Sequence, residues 1–177
     1  MSILDFPTVP IDQRQLRDAF GRFATGVTVI TTRTPSGVAA GLTANSFSAV
    51  SLDPPLLMWS LRQSSALLPA FLQSAVFAVN VLALEQAALA RRFAMPGRNK
   101  FDGIRYDWGF TGCPLIAGCL AHFECRTENS FGCGDHQIFI GYIERSAHRD
   151  GEPLIFSTGA YCALSALPIS SSGDAEP

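Results

Sequence analysis

The sequence predicts a mainly β fold, an antiparallel β-barrel with helical insertions. Two observations carry this. About seven runs of β-branched and aromatic residues have strand length. They do not alternate regularly with helical segments, which disfavours a doubly wound parallel sheet. No internal repeat and no second-domain boundary interrupts the chain, so residues 1–164 read as one domain.

The elements follow in order. Asp12 to Gln15 resembles a capping box, and Leu16, Ala19, Phe20 and Phe23 share one helical face, predicting a helix over 12–23. Gly26 breaks it. The β-branched run Val27 to Thr32 predicts a strand, Pro35-Ser36-Gly37 a turn and residues 38–44 the return strand. Residues 47–50 continue extended until Asp53-Pro54-Pro55 stops regular pairing. Leu56 to Leu61 is a strand buried on both sides. Ser64 or Ser65 caps a short helix carrying Leu67, Leu68, Phe71 and Leu72. Residues 76–82 form a buried strand and 85–93 a helix.

Residues 95–107, with Pro96, Gly97, Gly103 and several basic residues, read as an exposed loop. Two strands follow over 120–129 and 136–143. Asp150-Gly151 signals a hairpin turn before a short strand at 154–156. Residues 165–177 read as a disordered tail.

Composition narrows the function. The chain has 177 residues, 47% of them hydrophobic and 16% charged, with a net charge of −2. That apolar bias points to self-association. Without a basic cluster, nucleic acid is not an expected partner. No run approaches the length of a membrane span, and Met1 to Pro10 lacks the pattern of a secretory signal. An odd count of five cysteines (Cys113, Cys119, Cys125, Cys133 and Cys162) then reads as reduced thiols in a cytoplasmic protein, mostly small core residues. There is no CxxC, HExxH or phosphate loop, and the three histidines are scattered, so no metal site is expected.

Small polar residues gather at strand ends: Thr43, Ala44, Asn45 and Ser46 after one strand, and Ser60 to Ser65 after another. Ala78, Val79 and Asn80 lie within a third. Small side chains admit a planar aromatic ligand to the backbone, and amides and hydroxyls there can pair with its polar edge. Arg62 and Lys100 could meet phosphate groups. Each piece alone is also explained by turn chemistry.

Four segments taken in order, Phe23-Ala24-Thr25-Gly26-Val27-Thr28-Val29-Ile30-Thr31, Gly41-Leu42-Thr43-Ala44-Asn45-Ser46-Phe47, residues 50–56 and Phe77-Ala78-Val79-Asn80-Val81-Leu82, resemble the short-chain flavin reductases. These are the reductase components of two-component flavin monooxygenases. Phe93-Ala94, Lys100-Phe101, Gly134-Asp135-His136 and Ile138 to Gly141 continue the match in register.

The resemblance implies an antiparallel split β-barrel of the flavin-reductase type. It implies FMN or FAD as cofactor, NADH or NADPH as co-substrate, a homodimer with flavin near its interface, and a separate monooxygenase that receives reduced flavin. By position, Thr43, Ala44, Asn45 and Ser46 would contact the flavin ring and ribityl chain. Ser60, Leu61, Ser64 and Ser65 would flank the ring and reach the phosphate. Asn80 and Val81 would add backbone contacts, and Lys100 would approach phosphate. His136 would be the catalytic residue, positioning the nicotinamide with Thr25 and Phe23 near the same face, and it could also protonate reduced flavin or stabilise its negative charge. Asp135 either holds the imidazole tautomer or only finishes the turn.

The stretch from Arg62 to Ser65 varies across the family, leaving FMN and FAD both open, and Cys133 has no assigned role. Two other readings compete. One is a flavin-binding module without turnover. The other is an oxidase related to the pyridoxamine-phosphate enzymes, which would need a basic pocket that the sequence lacks.

Overall fold

The fold is that of a computed structural model and is described for residues 12–97 and 99–165. The expected tail from residue 166 onward and the first residues of the chain lie outside the described part.

Seven antiparallel strands make the main sheet, in the order β3-β2-β6-β9-β10-β5-β4. They are β2 (Thr28–Arg33), β3 (Ala39–Ala44), β4 (Ser48–Leu52), β5 (Pro55–Arg62), β6 (Val76–Val81), β9 (Ala121–Cys133) and β10 (His136–His148). β1 (Thr25–Gly26), β11 (Ile155–Ser157) and β12 (Ala160–Cys162) form a small second sheet, and β7 (Tyr106–Trp108) pairs with β8 (Pro114–Ile116). The helices are α1 (Gln13–Phe20), α2 (Leu68–Ser74) and α3 (Ala87–Ala94). Mainly β architecture with helical insertions is therefore what the chain adopts.

β2 shows why a threonine-rich run can be buried. Val29 and Ile30 belong to different apolar clusters, as strand alternation requires. The intervening hydroxyls find carbonyls: Thr28 donates to Ala44 O (2.7 Å), Thr31 to Pro114 O (2.6 Å) and Thr32 to Val76 O (2.8 Å). One cluster centres on Trp59, stacked on Phe139 at 4.7 Å with Phe71 and Phe77 edge-on. Gly141 is required there, because a Cβ would collide with the Phe77 ring. The other cluster packs Val27, Val29, Leu82 and Leu154 against Ala90 and Phe93 of α3.

Several expectations are corrected. α1 ends at Phe20, because Gly21 caps it by donating to Arg17 O at 2.9 Å, and none of its residues is buried. Asp12 caps it, with Oδ1 accepting from Arg14 N at 3.2 Å. β9 and β10 are thirteen residues each and meet at a two-residue turn, Gly134-Asp135, where Gly134 has φ +59°. That turn is the hairpin. Asp150-Gly151 joins β10 to β11 of the small sheet and closes no hairpin. Residues 95–97 and 99–105 form the expected loop, mostly exposed, but Phe101 anchors it edge-on against Phe93 (4.9 Å) and Tyr106 (5.1 Å), and the segment ends in β7.

Candidate functional site

The two edge strands of the main sheet, β3 and β4, are joined by Asn45, Ser46 and Phe47. The β4–β5 ladder runs only from Leu52–Pro55 to Ser48–Met58. Beyond it the Ser46 hydroxyl takes over, accepting from Ser60 N (3.0 Å) and donating to Ser60 O (3.1 Å). The two polar strand ends read from the sequence are thus fastened to each other.

They line one cleft of about 1290 Å³, above the roughly 300–1,000 Å³ usual for a small-molecule site. Thr43, Ala44, Asn45, Ser46, Ser60, Leu61, Ser64, Ser65, Lys100 and His136 all reach it. β3 supplies a wall of small residues, Ala39, Ala40 and Gly41, pressed against α3. Thr43 donates to Ala90 O at 2.6 Å, which fixes that contact. Asn45 and Ser64 are exposed to the cleft, while Ser65 Oγ accepts from Leu67 N at 3.3 Å. Lys100 donates to Phe93 O at 2.9 Å, and burial pulls its pKa below the ordinary lysine value.

His136 opens β10 directly opposite Arg62 of β5. Its Nδ1 lies 2.7 Å from Asp135 Oδ1. That hydrogen bond, helped by the charge of Arg62, holds the Asp135 carboxyl below the usual carboxylate range. Gln63 ties this turn to the end of β5: its backbone N donates to Asp135 O (2.9 Å) and its amide to His136 O (3.4 Å).

Four expected site residues are not brought to the cleft. Asn80 is fully buried in β6, between β2 and β9, and its side chain is consumed internally. Nδ2 donates to Val29 O (3.0 Å) and Thr31 Oγ1 (3.1 Å), and Oδ1 accepts from Ile116 N (2.8 Å). Val81 packs against the Trp59 cluster. Thr25 pairs with Phe156 in the small sheet, and Phe23 stands exposed before it.

Sequence reasoning missed the far wall: Thr34, Ser36 and Val38 at the β2–β3 turn, and Met95, Pro96 and Gly97 after α3. The matches at Phe93-Ala94 and Lys100-Phe101 bracket that second stretch and were the signal available.

Small walls, an exposed amide, free hydroxyls and a cation suit a planar, phosphorylated heteroaromatic, so the donor set fits a flavin. Among the described residues no three His, Cys, Asp or Glu side chains are grouped to hold a metal, and no helix is long and apolar enough to cross a membrane.

The sequence profile described as a flavin reductase like domain matches residues 20–165. The chain is 48% identical to the FMN reductase (NADH) SmoA of Agrobacterium fabrum over 85% of each protein. It is 42% identical to the reductase component of the flavin-dependent trigonelline monooxygenase of Acinetobacter baylyi over 84% of this chain, but spans only 48% of that longer protein. The Streptomyces globisporus NADH:FAD oxidoreductase SgcE6, solved with NAD and FAD fragments, superposes with a TM-score of 0.82 at 37% identity, covering 90% of this chain and 95% of that one. The split-barrel fold, the match across most of the chain and these relatives agree: the chain belongs to the flavin reductase family.

Proposed function

We propose that this chain oxidises NADH or NADPH and delivers the hydride to FMN or FAD in the cleft beside Ser46 and Ser60, and that the reduced flavin leaves for a separate monooxygenase. The NADH named for two of the relatives supports NADH as the donor. A bound flavin supplies a planar two-electron acceptor. The observation that carries the reading is the convergence of two polar strand ends and His136 on one cleft.

The protein's part is positioning. Thr43 to Ser46, with Ser60 and Leu61, form a surface on which a planar ring can lie. Hydride transfer demands close stacking of donor and acceptor more than a proton relay. A neutral His136 that donates Nδ1–H to Asp135 leaves Nε2 as acceptor, the complement of a nicotinamide carboxamide N–H. Asn80, Val81, Thr25 and Phe23 are left out of this assignment.

Further support bears on assembly and compartment. Leu52 is 95% exposed at the end of edge strand β4, an uncovered apolar side chain beside an open strand edge, which suits a second copy of the chain. The free thiols fit a reducing, cytoplasmic setting, with burial pushing Cys119 and Cys125 up to about 12. Purified protein should consume NADH or NADPH only when FMN or FAD is present. No flavin-dependent oxidation with either nucleotide overturns the reading.

A further inference from the structure

The β9–β10 hairpin reaches past its neighbour on one side. β9 pairs with β6 only over Ala121 to Arg126, so from Thr127 to Cys133 its partner among the described residues is β10 alone. The hairpin tip, with His136, is tied into the sheet through β5, and that ladder ends at the pair Arg62–His136.

Gln63 carries the tie further. Its backbone N donates to Asp135 O (2.9 Å), one step beyond the last pair in the same register. Its side-chain amide donates to His136 O (3.4 Å) and lies over Gly132 of β9, where a Cβ would stand 3.2 Å from Gln63 Nε2. One residue thus links the end of β5 to both strands of the hairpin. Gln63 does not line the cleft, although Arg62 and Ser64 on either side of it do.

We infer that Gln63 is a positioning residue for hydride transfer, bracing the hairpin tip so that His136 keeps a fixed distance from the wall of Ser60 and Leu61. This rests on the reading of His136 as the nicotinamide contact. Wall and imidazole belong to different strands, so the join between β5 and β10 sets how closely donor and acceptor stack. A misplacement of about 1 Å can cost on the order of 100-fold in rate. One long, exposed hydrogen bond restrains only part of that motion, so the expected loss is smaller.

Gly132 gives a second handle on the same brace. Its backbone is not left-handed, and beyond its chain neighbours an added methyl meets within 4 Å only the side-chain amides of Gln63 and Gln137. Gly132→Ala therefore pushes the Gln63 amide off His136 O without straining the backbone.

The test is a double-mutant cycle on the full chain. Gln63→Ala should lower kcat/KM for NADH about 3- to 10-fold, with the dissociation constant for FMN within about twofold of wild type. Gly132→Ala should do the same, and the double variant should be no worse than Gln63→Ala, because both remove one brace. Unchanged kcat/KM in Gln63→Ala overturns the inference. So do losses that multiply in the double variant, or a loss of FMN affinity in place of the effect on NADH. If the wild type shows no turnover, the reductase reading fails by itself. Amide hydrogen exchange across residues 133–136 needs no turnover: it should quicken in Gln63→Ala and in Gly132→Ala, and unchanged exchange in both shows that no brace exists.

Discussion

Nδ1 of His136 is 2.7 Å from Oδ1 of Asp135, its neighbour in the chain. Successive residues of a strand point to opposite faces. These two side chains meet because Asp135 lies in the turn after left-handed Gly134, outside the ladder that His136 begins. The pair fixes one imidazole tautomer and directs Nε2 away from Asp135.

Asp135→Asn should therefore lower kcat/KM for NADH about 3- to 10-fold and leave flavin affinity alone. Asp135 has a depressed pKa in the fold, so its carboxylate is fully available above the ordinary carboxyl value, near about 3.9, and is lost as pH falls through the lower native value. The ratio of KM for NADH in Asp135→Asn to that in the wild type should therefore stay constant across mildly acidic pH and fall towards one only below the ordinary carboxyl value. A ratio of one at every pH would remove Asp135 from this role.

His136→Ala separates a reductase from a module that only binds flavin. Loss of a positioning contact to the donor should cut kcat/KM for NADH by about 10- to 100-fold, while flavin titration is unchanged. Equal turnover in the variant would mean that His136 merely starts β10.

The Ser46 clamp replaces ladder bonds that β4 no longer provides at Ser60. Ser46→Ala should cost about 1–2 kcal/mol of stability and weaken FMN and riboflavin together, because it loosens the wall and touches no phosphate. A stability loss with flavin affinity intact would show that the clamp serves the barrel alone.

Much of this was legible in the sequence, for identifiable reasons. Val27 to Thr32 reads as a strand because β-branched residues fit no other element so well. Residues 130–133 did not, since Ser130, Gly132 and Cys133 carry no strand pattern; they are strand because they pair with His136 to Phe139 of β10 in the solvent-facing half of the hairpin. Asp150-Gly151 has the composition of a hairpin turn, but β11 pairs with β12 and with β1 rather than with β10, and the β1 pairing spans more than a hundred residues that no local pattern records. The internal partners of the Asn80 side chain are equally non-local: no local pattern records that Ile116 N donates to it across the packed strands.

Asn80 supplies the next prediction. Asn80→Ala leaves the Ile116 N–H without its acceptor and takes one donor from Val29 O and from Thr31 Oγ1, which keeps its bond to Pro114 O, and should cost about 2–4 kcal/mol. Below the melting transition, affinity for FMN should be within about twofold of wild type, because the buried side chain is bonded internally and does not line the cleft. A variant that folds normally and loses flavin would return Asn80 to the binding site.

Leu52 gives the last. It is 95% exposed at the end of an edge strand, Val50 of the same strand is 49% exposed, and the strand's outer rim is unpaired among the described residues. An uncovered leucine beside an open edge invites pairing with another chain. In a symmetric dimer each such contact occurs twice, so burying Leu52 contributes about 3–6 kcal/mol across both copies. Leu52→Glu puts a charge in place of that contact in both copies, and nothing in the protomer's own core depends on it. The wild type should elute as a dimer at micromolar concentration and the variant as a monomer, with the thermal transition becoming independent of concentration only in the variant. A wild type that is already monomeric, or a variant that remains dimeric, would place the interface elsewhere or remove it.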